Sequence, residues 1–133
     1  MNIPDAIAEF GHHIGLPALA LNDAGLCRVV FDGTLAVDLE ATPDGRALQV
    51  MALATPRDLP SCSTEMLEAM LGANLLGVST GGAHFSLSRA DGHVFFERRL
   101  DMASLDFNGF AMEMESFVNH LEGWQMKLAA MPG

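Results

Sequence analysis

The sequence predicts an α+β fold, a twisted antiparallel sheet with helices packed on it, in the order α-β-β-β-α-β-β-α and as a single domain over residues 1–133. Three observations carry that expectation. Apolar residues step by three and four near both ends and once in the middle, which is helical spacing. Between those segments, short runs rich in β-branched and aromatic residues alternate apolar with polar, which is strand spacing. Turn dipeptides rich in Gly, Asp and Asn separate the runs at hairpin distances.

Ile3, Ile7, Phe10 and Ile14 place one apolar face on a first helix over about residues 3 to 14. Asn2 is positioned to cap it, Pro4 is tolerated in its first turn, and Gly15 and Pro17 end it. Asn22-Asp23-Ala24-Gly25 forms a turn into a strand, Leu26 to Phe31. Asp32-Gly33 predicts a tight hairpin, because both residues tolerate positive φ. In the next strand Leu35, Val37 and Leu39 point one way, while Thr34, Ala36, Asp38 and Glu40 point the other. Pro43-Asp44-Gly45 turns the chain into a third strand, Ala47 to Leu53, completing an antiparallel meander. Residues 55 to 60 are expected as a loop. Ser61 or Ser63 then caps a second helix, about residues 63 to 76, with Glu65 and Glu68 near its positive end. Strands over 83 to 88 and 93 to 99 flank the turn Ala90-Asp91-Gly92. Phe107, Phe110, Met114, Phe117, Leu121, Trp124 and Leu128 run through a last helix, about residues 105 to 129.

Charge and hydropathy narrow the function. Seventeen acidic residues against seven basic ones give a net charge of −10, which repels a nucleic-acid backbone and an anionic membrane surface. No run approaches the length of a membrane span and the first residues lack a signal-peptide pattern, so the cytosol is the expected location. Half of the residues are hydrophobic and mean hydropathy is +0.24. A chain this small has limited interior, so such an excess predicts apolar surface at an oligomer interface or a partner groove. Nine methionines suit a surface that adapts to several sequences.

The glycine-rich stretch "LGANLLGVSTGGAHFSLS", residues 71 to 88, raises the question of a phosphate site. A phosphate loop runs strand, glycines, helix and carries a lysine. Here the order is helix, glycines, strand, and no Lys or Arg lies between Arg57 and Arg89. The glycines are therefore expected to stop a helix at Gly77 and lead into a strand. Ser79 lacks the flanking glycines of a nucleophile elbow, and Cys27 and Cys62 have no CxxC spacing. No catalytic residue, metal or cofactor is indicated. The enzyme alternative rests on His84 and His93, which lie on opposite sides of the second hairpin and could approach across it.

The segments "LCRVVFDGTLAVDLE", "EAMLGANLLGVSTGGAHFSLSRADGHVFFERRL" and "FNGFAMEMESFVNHLEGW" resemble the class I type III secretion chaperones of the Tir-chaperone (CesT-like) family, over nearly the whole chain. Ala73-Asn74-Leu75-Leu76-Gly77 matches the run that closes that family's second helix, and Phe117-Val118 with Trp124 matches its final helix. The resemblance implies a bacterial cytoplasmic homodimer without ATP hydrolysis. Such a dimer binds the extended N-terminal segment of a secreted effector and keeps it soluble and competent for secretion. It admits the secretion ATPase as a further partner. On this basis the dimer contact is expected at Met66, Met70, Leu71, Asn74 and Leu75, supported by Phe85. The effector is expected at Ile7, Phe10, Ile14, Leu35, Val37 and Met51. An adaptor that binds a folded partner is the alternative within the same shape.

Overall fold

The computed structural model describes residues 1–133. Helix α1 (Ile3–His13) is followed by strands β1 (Leu26–Phe31), β2 (Leu35–Ala41) and β3 (Ala47–Asp58). Helix α2 (Thr64–Ala73), strands β4 (His84–Ser88) and β5 (His93–Asp101), and helix α3 (Phe107–Ala129) complete the chain. The strands form one five-stranded sheet in the order β1-β2-β3-β5-β4, so β1 and β4 are its edges. Short 3-10 turns at Leu59–Ser61, Leu75–Gly77 and Met102–Ser104 join elements.

Local chemistry explains the boundaries. Asn2 accepts the Asp5 N–H at 2.8 Å, Ser63 accepts the Met66 N–H at 3.1 Å and Asp106 accepts the Gly109 N–H at 2.7 Å, so each helix starts at a side-chain cap. In the first hairpin Asp32 and Gly33 have φ of 51° and 75°, and Thr34 N–H donates to the Phe31 carbonyl at 3.1 Å.

By packing the chain divides into two compact units, Met1–Val50 with Arg99–Glu115, and Met51–Arg98 with Ser116–Gly133. In the first, Ile3, Ile7 and Phe10 of α1 are buried together with Val29, Val37, Leu39 and Phe110. The Phe10 ring meets the rings of Phe31 and Phe110 edge-on at 6.4 and 5.6 Å. In the second, the rings of Phe117, Phe96, Phe85 and Trp124 succeed one another at 5.3, 5.0 and 5.2 Å, beside buried Met66, Met70 and Leu121.

Several boundaries differ from the sequence reading, three of them for a local reason. β3 continues through residues 55 to 58, where a loop was expected. It has 12 residues against 7 in β2, so Pro56 lies beyond the reach of that neighbour and its missing N–H costs no ladder bond there. α2 ends at Ala73, short of Gly77, because the Asn74 side chain turns to β4. Leu76 then takes a left-handed φ of 61° that a leucine adopts only at a cost of roughly 1–2 kcal/mol. α3 begins at Phe107, where Asp106 caps it.

Candidate functional site: two sheet edges and an apolar helix face

An edge strand offers its outward N–H and C=O groups to any passing chain unless something covers them. At Ala83, just before β4, and in β4 as far as Phe85 they are covered. Both backbone groups of Ala83 are taken by Thr80, its N–H by the Thr80 carbonyl at 3.2 Å and its C=O by Thr80 Oγ1 at 2.5 Å. Both groups of Phe85 are taken by the Asn74 carboxamide, at 2.7 Å to Oδ1 and 3.1 Å from Nδ2. Of the outward-facing residues only Leu87 is left.

β1 is covered at one place. Leu26 gives its N–H to Asn22 Oδ1 at 3.0 Å and accepts the Asn22 N–H at 2.8 Å. Gly25 pairs inward, accepting the Ala41 N–H at 2.9 Å, and β1 aligns with β2 from Leu26↔Glu40 to Phe31↔Leu35. The antiparallel alternation therefore directs the backbone groups of Arg28 and Val30 to the open edge. Val30 also exposes 47% of its surface. Arg28 is anchored across the ladder to Asp38, at 2.7 and 3.0 Å, a two-pronged bond that raises its pKa.

The second feature is the outer face of α2. Met66, Met70 and Ala73 face inward and are buried. On the other side Leu67, Leu71 and Leu75 follow at four-residue intervals, with Leu71 and Leu75 each 74% exposed, and the turn beyond adds Leu76 at 87% and Val78 at 80%. The strained φ of Leu76 keeps an apolar side chain in solvent.

The glycines of this turn serve close packing. A Cβ on Gly81 would stand 2.6 Å from His120 Cε1 and 3.0 Å from Ser116 Oγ, and its φ is +63°. The neighbouring loop is tied to α3 by Trp124 Nε1, which donates to the Ser79 carbonyl at 3.0 Å.

A family model, Tir chaperone protein (CesT) family, matches residues 5–125. The chain belongs to the CesT family. Its fold is that of solved relatives. The complex of ExsC with ExsE contains a chain 23% identical, covering 96% of this chain and 97% of that one with a TM-score of 0.77. The HopA1–SchA chaperone–effector complex gives 18% identity, coverage of 92% and 91%, and a TM-score of 0.76. The Yersinia pestis type III secretion chaperone SycH, in complex with a stable fragment of YscM2, gives 20%, 92% and 98%, and 0.69. No curated protein matches the chain by sequence.

Within this CesT-family fold the residues singled out from sequence separate by burial. Ile7, Phe10, Leu35 and Val37 are buried, and Ile14 and Met51 are half-buried. Met66, Met70 and Phe85 are buried, Asn74 is half-buried on β4, and Leu71 and Leu75 are exposed. Val30, Leu76 and Val78 were not singled out. Their signal was present in the strand Leu26 to Phe31 and in the matching run Ala73 to Gly77, but neither motif says which side faces solvent.

His84 and His93 do not meet. His84 stands opposite Glu97, with Nε2 at 2.8 Å from Oε1, while His93 stands opposite Ser88 at the other end of the hairpin. The enzyme alternative that rested on this pair loses its geometry. No group of three or more His, Cys, Asp or Glu residues could hold a metal ion. Burial pushes the Cys27 thiol up, with the Asp38 charge adding to it, and burial pushes up Cys62 against a smaller opposing effect of Arg57. Both changes disfavour the thiolate that a nucleophile needs. No helix is long and apolar enough to cross a membrane.

Proposed function

We propose that this chain is a cytoplasmic bacterial type III secretion chaperone that acts without ATP hydrolysis, binding the extended N-terminal segment of a secreted effector. The observation that carries the reading is the open β1 edge, where Arg28 and Val30 in succession direct unpaired backbone groups outward, while Thr80 and Asn74 cover the β4 edge up to Phe85 and leave only Leu87. Strand addition holds a guest by its main chain, so it accepts many sequences and leaves the guest without a globular core. Membership of a chaperone family supports the same reading. Of the side chains expected to serve the effector, Ile14 and Met51 retain surface, whereas Ile7, Phe10, Leu35 and Val37 act by shaping the unit that carries β1.

The partner for the outer face of α2 is a second copy of this chain. Leu71, Leu75, Leu76 and Val78 form a run of exposed apolar residues that a lone protomer would present to water. A two-fold contact buries the same face from both sides. Met66, Met70 and Phe85 support that face from beneath.

Co-expression with the N-terminal leader of a candidate secreted effector, cut before any globular domain, tests the function. The expected result is a stable complex of chaperone and leader. Retention of the folded domain but not of the leader would favour an adaptor instead.

A further inference from the structure

One open groove, of about 260 Å³, lies on the C-terminal half of α3, bounded by Ser79, Asn119, His120, Gly123, Trp124 and Lys127. Its chemistry differs from the rest of the surface. Lys127 is the only lysine and Trp124 the only tryptophan of the chain, and the ammonium sits 4.7 Å over the indole ring. Despite seventeen acidic residues, Lys127 has no carboxylate within ion-pair distance. The positions three and four residues away on either side, where a helix would place a partner, hold Trp124, Gly123, Ala130 and Met131.

Three further residues of the groove shape its floor and its polar rim. Gly123 lies inside a 23-residue helix, where glycine is unfavourable, yet a Cβ there would meet nothing within 4 Å. The groove is thus kept low at that step, which allows a backbone to approach. His120 donates through Nδ1 to the Ser116 carbonyl at 2.8 Å, which leaves Nε2 for another partner. Asn119 is exposed and carries both a donor and an acceptor.

We propose that this groove binds a carboxylate-bearing peptide segment of a protein partner, with Lys127 taking the carboxylate, Trp124 the adjoining apolar side chain, and Asn119 the peptide backbone over Gly123. A nucleic acid or nucleotide is a poor fit to one lysine on a chain of net charge −10. The site is separate from strand addition at β1 and stands or falls without it.

The chain has no tyrosine, so Trp124 emission reports on the groove directly. The full-length protein is titrated with a capped five-residue peptide, Ala-Leu-Glu-Leu-Ala, and with the same peptide carrying Gln in place of Glu. The Glu peptide is expected to produce a saturable change and to bind about three- to five-fold more tightly than the Gln peptide, the range of an exposed ion pair. Lys127→Gln should erase that difference. Gly123→Leu, whose side chain enters open space and favours the helix, should abolish binding of both peptides while circular dichroism stays unchanged. Equal binding of the two peptides, no change with either, or a Glu preference that survives Lys127→Gln would overturn the proposal and leave Lys127 a charge on the helix C-terminus alone.

Discussion

The carboxamide of Asn74 satisfies both backbone groups of Phe85, accepting its N–H at 2.7 Å and donating to its C=O at 3.1 Å. One side chain thereby does the work of a neighbouring strand. It ends α2 and covers the β4 edge at Phe85. Replacing it by alanine leaves two backbone groups without partners, so Asn74→Ala should cost about 2–3 kcal/mol. Urea denaturation measures the loss, and hydrogen exchange should show the Phe85 amide among those most accelerated.

The two faces of α2 should respond oppositely to substitution. Leu71→Asp alters an exposed position and should leave secondary structure intact, yet it should convert a dimer into monomers by placing a charge in the contact. Met70→Ala removes a buried side chain and should destabilise the protomer by about 2–5 kcal/mol. Sedimentation for the first and denaturation for the second separate these effects. Unchanged sedimentation of Leu71→Asp would remove the interface.

Gly81→Ala introduces a methyl 2.6 Å from the His120 ring at a φ of +63°. The ring is held by its bond to Ser116, so the loop must move. A loss of about 1–2 kcal/mol in thermal or chemical unfolding is expected. Gly123→Ala should be neutral or stabilising, since its space is open and the helix prefers alanine.

The β2–β3 turn carries a pH signature. Asp44 accepts the Arg46 N–H at 3.0 Å and the Thr42 hydroxyl at 2.7 Å, and these bonds, the backbone one foremost, hold its carboxyl below the ordinary aspartate value. A lowered folded pKa means that the turn's contribution is complete above the unfolded aspartate value and is lost as pH falls through the folded one. NMR titration should find Asp44 deprotonating below the usual carboxylate range, and Thr42→Val should bring it back toward that range.

Much of the fold was legible because its signals are local. The caps Asn2 and Ser63, the Asp32-Gly33 turn and the alternation of Leu35, Val37 and Leu39 each act within a few residues. The junction of β3 with β5 was not legible, because it joins strands far apart in sequence, and with it went the knowledge that β1 and β4 are edges. The same gap misplaced the end of α2. A glycine at position 77 is an obvious stop, but the helix yields earlier to a bond between Asn74 and a strand eleven residues on. Apolar periodicity located Leu71 and Leu75 together with Met66 and Met70, and only the packed structure divides the four between surface and interior.

Strand addition at β1 is tested most directly by calorimetric titration of the isolated effector leader into the unaltered protein and into Val30→Pro. Proline at that position removes an outward N–H that no ladder bond uses, and edge strands tolerate it. The expected result is nanomolar to micromolar binding to the unaltered chain, at least about ten-fold weaker binding to Val30→Pro, and no change for Leu87→Pro on β4. Equal affinity of the unaltered and Val30→Pro proteins, with both folded, would contradict docking at this edge.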